Sequence, residues 1–178
     1  MDLNYDPARR GSGYGGVEFL SGFRALPRDT FGSVRTQGVA GVQFLVPIDD
    51  GPLAVELGGS FSRDDDGSEV PSVSTDGRVI EASLGLRFSA NGAAQTLVPF
   101  VAGGVTSIYA RLEDRIADVV SDDTTIGFYA HAGLIIYVGG NEYFALEWRA
   151  VQGTDLELFG GAGDADYNQV SLVFGYSW

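Results

Sequence analysis

The sequence predicts an all-β fold, a transmembrane eight-stranded antiparallel up-and-down β-barrel. Eight runs alternate apolar with small or polar side chains, and each has about ten residues, the length that a tilted strand needs to cross a bilayer. Short turns alternate with long acidic loops, as in barrels whose strands cross a membrane. The last run, 169–178, has one wholly apolar face that carries Phe174, Tyr176 and Trp178.

The composition favours β structure and excludes several classes of function. The 178 residues include 26 glycines, 11 phenylalanines and 8 tyrosines, which suits tight turns and closely packed strands. Cysteine is absent, so disulfides, thiolate metal sites and cysteine nucleophiles are excluded. The net charge is -13 and lysine does not occur, so we expect no nucleic-acid binding. No apolar stretch is long enough for a transmembrane helix.

The first half of the chain contains four alternating runs. A polar connection at 27–36 follows the first run, and Asp49-Asp-Gly-Pro52 makes a short turn after the second. A long acidic loop at 64–77 follows the third run, and a brief turn at 90–96 follows the fourth. The four runs lie at 14–24, 37–48, 53–63 and 79–88.

The second half repeats this rhythm. A long polar loop at 112–124, a tight turn at 139–142 and a long loop at 155–166 separate the four later runs. The facing of the fifth run stays open, because Phe100, Ala102 and Ile108 fit either side. The four runs lie at 97–111, 126–138, 144–151 and 169–178.

The polar face of each run indicates a narrow lumen rather than a surface in water. It carries mainly Gly, Ser, Ala and Gln with isolated central charges, whereas a water-exposed sheet would carry Lys, Glu and Thr along its length. A soluble lipocalin-like barrel, with its apolar face inward, is the alternative. In the membrane interpretation the apolar face meets lipid and its aromatic residues form girdles. The expected girdle residues are Phe19, Phe44, Phe61, Phe88, Phe144, Trp148, Tyr176 and Trp178.

The charges on the predicted lumen face nearly balance, and we expect them to form one network. A buried charge must be paired, because desolvating it alone costs several kcal/mol. A structural plug of ion pairs is therefore the expected role, with an ion- or proton-conducting path or gate as the alternative. The network residues are Glu18, Arg24, Glu56, Glu81, Arg87, His131, Glu147 and Arg149.

The single histidine, His131, limits the possible chemistry. One histidine leaves no two-histidine metal site and only one candidate general base of that type. It lies in mid-strand on the predicted lumen face, and the neighbouring same-face residues, Tyr129 and Gly133, provide no serine nucleophile. We therefore expect no catalytic site, no cofactor and no enzymatic activity.

The acidic loops offer at most a weak metal site. Asp64, Asp65, Asp66 and Glu69 resemble a calcium loop only loosely, because the alternate-ligand spacing of an EF-hand is not met. Solvated hydrophilic loops are the expected state. The alternative is that divalent cations bridge the loop carboxylates to lipopolysaccharide phosphates.

Three stretches of the sequence have the form of known barrel motifs. Val98-Pro-Phe-Val-Ala-Gly-Gly-Val105 is similar to a Pro-aromatic-x-Gly-x-Gly strand, and Ala145-Leu-Glu-Trp-Arg149 to a Leu-Glu-aromatic-Arg strand. Leu172-Val-Phe-Gly-Tyr-Ser-Trp178 looks like the terminal signal that the barrel assembly machinery reads. In these stretches the sequence resembles the families of small eight-stranded outer-membrane barrels: the OmpA transmembrane domain, OmpX/Ail and OmpW.

The resemblance implies a non-enzymatic integral protein of the bacterial outer membrane. It implies a role in envelope integrity or in surface interaction through the acidic loops, with outer-membrane lipids and lipopolysaccharide as partners. An OmpW-like passive channel for small solutes is the first alternative, although Val39, Leu45 and Ile135 are few residues for an apolar lumen. A lipid-modifying enzyme is the second alternative.

The ends of the chain add three expectations. Met1-Asp-Leu-Asn-Tyr5 lacks the basic and apolar segments of a secretory signal, so we expect a mature sequence with an added initiator methionine. We expect residues 1–12 to be a flexible N-terminal segment and residues 13–178 to form a monomeric barrel. Because no residue follows Trp178, we do not expect the peptidoglycan-binding domain of full OmpA.

Overall fold

Eight antiparallel strands form a closed barrel, in which each barrel strand pairs with the next one along the chain and the first pairs with the last. The computed structural model describes residues 15–49, 51–65, 75–90, 96–114 and 117–178. The predicted eight-stranded up-and-down barrel is confirmed, whereas the N-terminal segment predicted at 1–12 lies outside the described residues. The barrel strands are β1 (Gly16–Ala25), β2 (Thr36–Pro47), β3 (Leu53–Asp65), β4 (Thr75–Ser89), β5 (Leu97–Asp114), β6 (Val119–Gly139), β7 (Glu142–Gln152) and β10 (Tyr167–Ser177).

The first and last strands close the barrel. The register between them runs from Gly16 paired with Ser177 to Ala25 paired with Asn168. The N–H of Trp178 extends this pairing by donating to the carbonyl of Gly15 at 3.1 Å. No edge strand is left unpaired in the closed sheet, which is the condition for placing strands in lipid. None of the helices in the described part of the chain is long and apolar enough to cross a membrane.

Side chains alternate between the lumen and the outer surface along every barrel strand. On β4, Ile80 is 51% exposed, whereas Val79 is fully buried and Glu81 nearly so. The same alternation settles the facing of β5, where Phe100 and Ile108 point inward and Val101 points outward. The apolar face is therefore the outer one, as the membrane interpretation predicts.

The predicted polar loop at 112–124 is wrong, because most of it continues the barrel strands. β5 runs to Asp114 and β6 begins at Val119, and their pairing reaches Asp114 opposite Val119. Ala110 and Leu112 are buried on the inner side, while charged residues such as Glu113 and Asp122 occupy the outer side. The sequence predicts a loop here because the outer positions of the segment are charged, whereas the outer positions of the other strands are largely apolar. The loop predicted at 64–77 is likewise shorter, since β3 ends at Asp65 and β4 begins at Thr75.

The predicted polar connection at 27–36 is a small helical cap. A helical turn, α1 (Arg28–Phe31), is followed by a 3-10 helix (Gly32–Arg35), and Gly32 with a φ of 56° ends the first turn. Phe31 and Val34 lie three residues apart and are both buried against the loop end of the barrel. The cap therefore closes this end with apolar side chains.

The predicted loop at 155–166 also contains regular structure. Two short strands, β8 (Leu156–Leu158) and β9 (Gly161–Gly163), pair as a hairpin. Leu156 and Leu158 are buried in the same cluster as the cap. The N–H of Asp164 donates to Oγ1 of Thr30 at 3.1 Å, which ties the hairpin to α1.

The lumen is filled, but it is polar only in its middle. An apolar cluster occupies the loop end and includes Phe31, Val34, Ile108 and Tyr129. A second apolar cluster lies toward the short turns and includes Leu20, Val39, Val98, Phe100, Ile135, Tyr137 and Tyr143. The charged residues lie between these clusters. Sequence reasoning placed too few apolar residues in the lumen, because both ends of several strands turn large apolar side chains inward.

Candidate functional site

The charged residues of the lumen form two groups between the apolar clusters. All eight residues predicted for the network point inward and are buried. We name the groups after their central residues. The Arg87 group consists of Glu18, Gln43, Glu56, Arg87, His131, Tyr143 and Glu147. The Glu81 group consists of Arg24, Glu81, Thr106, Arg149, Tyr167 and Gln169.

Arg87 is the centre of the first group. Its Nη1 and Nη2 donate to the two carboxylate oxygens of Glu18 at 2.7 and 2.8 Å. Its Nε donates to Glu56 Oε2 at 2.8 Å, and Nη2 also donates to Gln43 Oε1 at 2.7 Å. Side chains from β1, β2, β3 and β4 therefore meet at one guanidinium. Bidentate arginine–carboxylate pairs of this kind are the strongest hydrogen-bonded ion pairs in proteins.

His131 lies between two carboxylates. Its Nε2 is 3.0 Å from Glu56 Oε1, and its Nδ1 is 2.9 Å from Glu147 Oε2. The ring also packs edge-on against Phe100, with centroids 5.6 Å apart. The Tyr129 hydroxyl donates to Glu56 at 3.1 Å. His131 therefore lies between carboxylates of β3 and β7, the position of a cation in the network, although Nδ1 and the Glu147 carboxylate are close without the alignment of a hydrogen bond.

Glu81 is the centre of the second group. Its Oε2 accepts from Arg24 Nη2 at 2.6 Å and its Oε1 from Arg149 Nη2 at 2.5 Å. The hydroxyls of Tyr167 and Thr106 donate to the same carboxylate at 2.5 and 2.9 Å. A carboxylate has about four lone-pair directions, so these four short contacts already saturate Glu81, and the Ser60 hydroxyl donates more weakly to it at 3.3 Å. Saturation of this kind fixes the side chains that surround it.

Each lumen arginine also stacks on an aromatic ring. Such cation–π contacts contribute roughly 0.5–2 kcal/mol, more when the pair is desolvated. Sequence reasoning missed these aromatic partners, because the partner ring belongs to a different strand and depends on the register. The guanidinium carbons lie 3.9 Å from the ring centre of Tyr167 for Arg24, 4.3 Å from that of Phe100 for Arg87 and 4.0 Å from that of Tyr129 for Arg149.

The space left inside the network is very small. A cavity lined by Gln43, Glu81, Arg149 and Gln169, among others, has a volume of about 10 Å³. A single water molecule needs roughly 10–15 Å³ of such space. A hydrated ion therefore does not fit between these side chains unless the ion pairs separate.

All eight predicted girdle aromatics are exposed on the outside of the barrel. Most lie toward the short-turn end, where Phe88 pairs with Val101 and Tyr176 pairs with Glu142. Phe61 and Trp148 lie closer to the loop end. The sequence-based list omitted outward-facing aromatics that follow the same alternation, among them Phe23, Phe128 and Phe174, which are 71%, 70% and 45% exposed.

The structure describes only two of the four residues of the weak metal site predicted from the sequence. Asp66 and Glu69 lie outside the described residues, while Asp64 and Asp65 are the last two residues of β3. Among the described residues, no group of three or more acidic or histidine side chains is arranged to hold a metal ion.

Within the described residues, His131 is surrounded by carboxylates rather than by serine or threonine hydroxyls. The two nitrogens of His131 face Glu56 and Glu147, and no described serine or threonine hydroxyl is hydrogen-bonded to the ring.

The comparisons with known proteins agree with this architecture. A family model described as "Outer membrane protein beta-barrel domain" matches residues 9–177. No curated protein matches the sequence at a significant level. Among solved structures, Neisserial surface protein A is 12% identical with a TM-score of 0.61, covering 94% of this chain and 97% of that one.

Two further structures have the same fold. Ail, the attachment invasion locus protein of Yersinia pestis, is 14% identical with a TM-score of 0.61, and the match covers 93% of this chain and 99% of Ail. The N-terminal β-barrel domain of Pseudomonas aeruginosa OprF is 16% identical with a TM-score of 0.52 and the same coverage. At these identities the structures show a shared fold alone. With its closed barrel, its apolar exterior and the family match over 9–177, the chain belongs to the outer membrane protein β-barrel domain family and is a protein of the bacterial outer membrane.

Proposed function

We propose that this barrel is a closed, non-enzymatic outer-membrane protein that contributes to envelope integrity and presents an acidic surface to partners outside the cell. The observation that carries the proposal is the filled lumen. Ion pairs occupy its middle with a residual cavity of about 10 Å³, and apolar clusters occupy both ends. Such a barrel supports a role on its surfaces rather than through its interior.

The ion pairs oppose passive conduction. Arg87 and Glu81 each bind side chains from strands on opposite sides of the lumen, so a path requires several buried ion pairs to break together. Breaking one buried pair costs roughly 3–5 kcal/mol. The apolar side chains of Phe31 and Val34 add a barrier without polar groups at the loop end.

The loop end of the barrel supports the second part of the proposal. β5 and β6 stay paired as far as Asp114 and Val119 at this end, where exposed carboxylates form an acidic rim of Asp118, Asp122, Asp155 and Glu157. Exposed carboxylates in a chain with a net charge of -13 attract cationic groups and divalent cations. This rim is the surface that we propose for contacts with partners.

A conductance measurement tests the closed lumen. The full chain is inserted into planar bilayers, and current is recorded for the wild type and for Arg24→Ser/Arg149→Ser, which removes both cations from Glu81. We expect no stable conductance steps in the wild type. Heat-dependent migration on gels shows whether the double variant is folded. The folded double variant is the comparison, because its lumen lacks two of the buried arginine side chains. Regular steps in the wild type would overturn the closed-lumen proposal and favour a passive channel.

A complementation experiment tests the surface role. Cells that lack the protein are expected to become more sensitive to large antibiotics and detergents, and the wild-type gene should restore resistance. Asp118→Asn/Asp122→Asn/Glu157→Gln removes exposed charge from the rim without touching the lumen. We expect this variant to insert normally and to restore resistance only in part. Full resistance in cells without the protein would contradict a role in envelope integrity.

A further inference from the structure

Three arginines form a row on the lipid-facing side of the barrel. The register pairs Arg63 of β3 with Arg78 of β4, and Arg78 with Arg111 of β5. All three point outward, and their side chains are 44%, 43% and 41% exposed. The other arginines of the described barrel strands point into the lumen. The outer face is otherwise apolar over most of its height, so this row requires an explanation.

The row places like charges directly opposite each other. Side chains paired across antiparallel strands lie about 4.5–5.5 Å apart, and like charges in such pairs are destabilising. Asp76 compensates part of this charge. It accepts from Arg63 Nε and Nη2 at 3.2 and 2.7 Å and from Arg78 Nη2 at 3.1 Å. One buried carboxylate thus orients two guanidiniums and neutralises one charge.

Arg111 has weaker protein contacts than its two neighbours. Its Nη2 approaches Glu113 Oε2 only at 3.9 Å, too far for a hydrogen bond. Its Nε is buried and has no hydrogen-bond partner among the described residues. Asp122 lies opposite Arg111 on β6 and ends the row on that side with a negative charge. The positive side of the row is therefore centred on Arg78, with an unsatisfied donor in Arg111.

The height of the row matches the outer limit of the apolar band. Arg78 lies ten residues from Phe88, which marks the short-turn end of the band on β4. Ten residues of a strand tilted by about 40° rise about 25 Å, which is the height of the apolar band in outer-membrane barrels. The next outward row toward the membrane centre is Phe61, Ile80 and Tyr109. The guanidiniums therefore lie where acyl chains end and charged headgroups begin.

We propose that Arg78 and Arg111, together with Arg63, bind a phosphate group on the headgroup of an outer-leaflet lipid. Guanidinium groups present forked donors that match phosphate oxygens, and a phosphate over the row would accept from their exposed ends and screen the paired charges. The lipid-facing position selects a lipid phosphate over a soluble one. This inference rests on the proposed role in envelope integrity, since that role places the barrel beside outer-leaflet lipids. It deepens that role by naming the group that the barrel binds.

Binding of a defined lipid tests the proposal. The full chain in detergent micelles is titrated with lipid A that carries both phosphates, with enzymatically dephosphorylated lipid A, and with inorganic phosphate, and binding is read by native mass spectrometry. We expect the wild type to bind the phosphorylated lipid at least about tenfold more tightly than the dephosphorylated one, a difference of about 1.4 kcal/mol in binding free energy. Inorganic phosphate at the same concentration should not compete.

Matched variants locate the site. Arg78→Gln/Arg111→Gln should lose the preference for the phosphorylated lipid. Arg28→Gln/Arg35→Gln removes the same charge from the exposed cap and should keep the preference. Arg111→Gln alone leaves the contacts of Asp76 intact, so it provides a folded variant with an expected partial loss. Unchanged preference in the Arg111 variants, equal loss in the cap variant, or equal competition by inorganic phosphate would each overturn the proposal.

Failure of this proposal is separable from failure of the proposed function. The arginine row lies on the opposite face of the sheet from the lumen, so its variants should not alter conductance. Conduction by the wild type would overturn the closed lumen and leave the lipid measurement unaffected.

Discussion

Arg87 and Glu18 form a bidentate ion pair across the lumen, with N–O distances of 2.7 and 2.8 Å. The two residues are 69 positions apart in the sequence and belong to β4 and β1, which are not neighbours in the sheet. The pair therefore joins strands that no backbone hydrogen bond connects. Because Arg87 also binds Glu56, one guanidinium donates hydrogen bonds to two buried carboxylates.

Arg87→Ala should destabilise the barrel strongly. It leaves Glu18 and Glu56 buried without their main cation, and breaking a buried pair in this way costs roughly 3–5 kcal/mol. Arg87→Lys should cost less, because it keeps the charge but loses the fork. The free energy of unfolding is measured by urea titration in lipid vesicles, with tryptophan fluorescence as the signal. Arg35→Ala, an exposed change in the cap, is the control, and a loss for Arg87→Ala below about 1 kcal/mol would contradict the buried pair.

His131 should carry a hydrogen on both ring nitrogens at pH 7. Carboxylates only accept hydrogen bonds, and each ring nitrogen of His131 lies within 3.0 Å of one. The lumen network also contains four glutamates and three arginines, so a charged imidazole balances it. His131 is the only histidine, so nitrogen NMR of the histidine-labelled protein in micelles gives one unambiguous ring.

The matched variant for this measurement is Glu147→Gln. It replaces the carboxylate nearest Nδ1 by a neutral amide of similar shape, so the doubly protonated signal should weaken while the barrel stays folded. A neutral-ring signal in the wild type at pH 7 would be evidence against the cationic position of His131.

Phe31→Ala should loosen the cap without unfolding the barrel. Phe31 is 2% exposed, and replacing a buried phenylalanine by alanine costs roughly 3–5 kcal/mol. The loss should stay local, because α1 is joined to the barrel through few contacts. Hydrogen exchange should accelerate at 28–35 and 156–165 and stay slow in β2–β4. Phe23→Ala, at an exposed site on the outer face, is the control; an even acceleration over all strands would be inconsistent with a separate cap.

Asp164→Asn should stabilise the hairpin segment at neutral pH. Burial and the nearby carboxylates of Asp166, Asp29 and Asp155 raise the pKa of Asp164 above its usual range. The folded segment therefore favours the protonated carboxyl, and its stability falls as the pH rises through the raised pKa. At pH 7 the variant should slow hydrogen exchange at 153–166, and at about pH 3, below the usual aspartate pKa, it should have little effect. Glu157→Gln, an exposed change nearby, is the control, and an equal effect at both pH values would exclude the titration.

The sequence predicts the barrel well because the relevant signal is local. Alternation along 79–88 depends only on neighbouring residues, and it correctly separates Glu81 and Arg87 from Leu84 and Leu86. The same rule places His131 and Glu147 in the lumen. It does not predict that the two contact each other through Nδ1, because that contact depends on the tilt and stagger of β6 against β7.

The sequence did not predict segments whose buried residues repeat with a helical spacing, or strands whose outer side is charged rather than apolar. Phe31 and Val34 are three residues apart, a helical spacing within a segment rich in polar residues, so alternation gives no signal there. Ala110 and Leu112 do alternate, but the charged outer neighbours conceal the strand. Similarly, the row of Arg63, Arg78 and Arg111 becomes visible only when the register joins three separate strands.

The pairing of Gly16 with Ser177 sets the order in which the barrel is completed. The sheet closes only after the last residues of the chain have arrived, and Arg24 then meets Gln169 across 145 positions. Contacts so distant in sequence carry a large loop-closure entropy, so closure is a late and slow event. Before it, inner charges whose partners lie on distant strands, such as Glu18 and Arg87, would lack those partners, at a cost of several kcal/mol for each group. The lumen network therefore lowers the stability of partly closed intermediates relative to the finished barrel. It also makes the finished barrel slow to reopen, because reopening separates buried ion pairs.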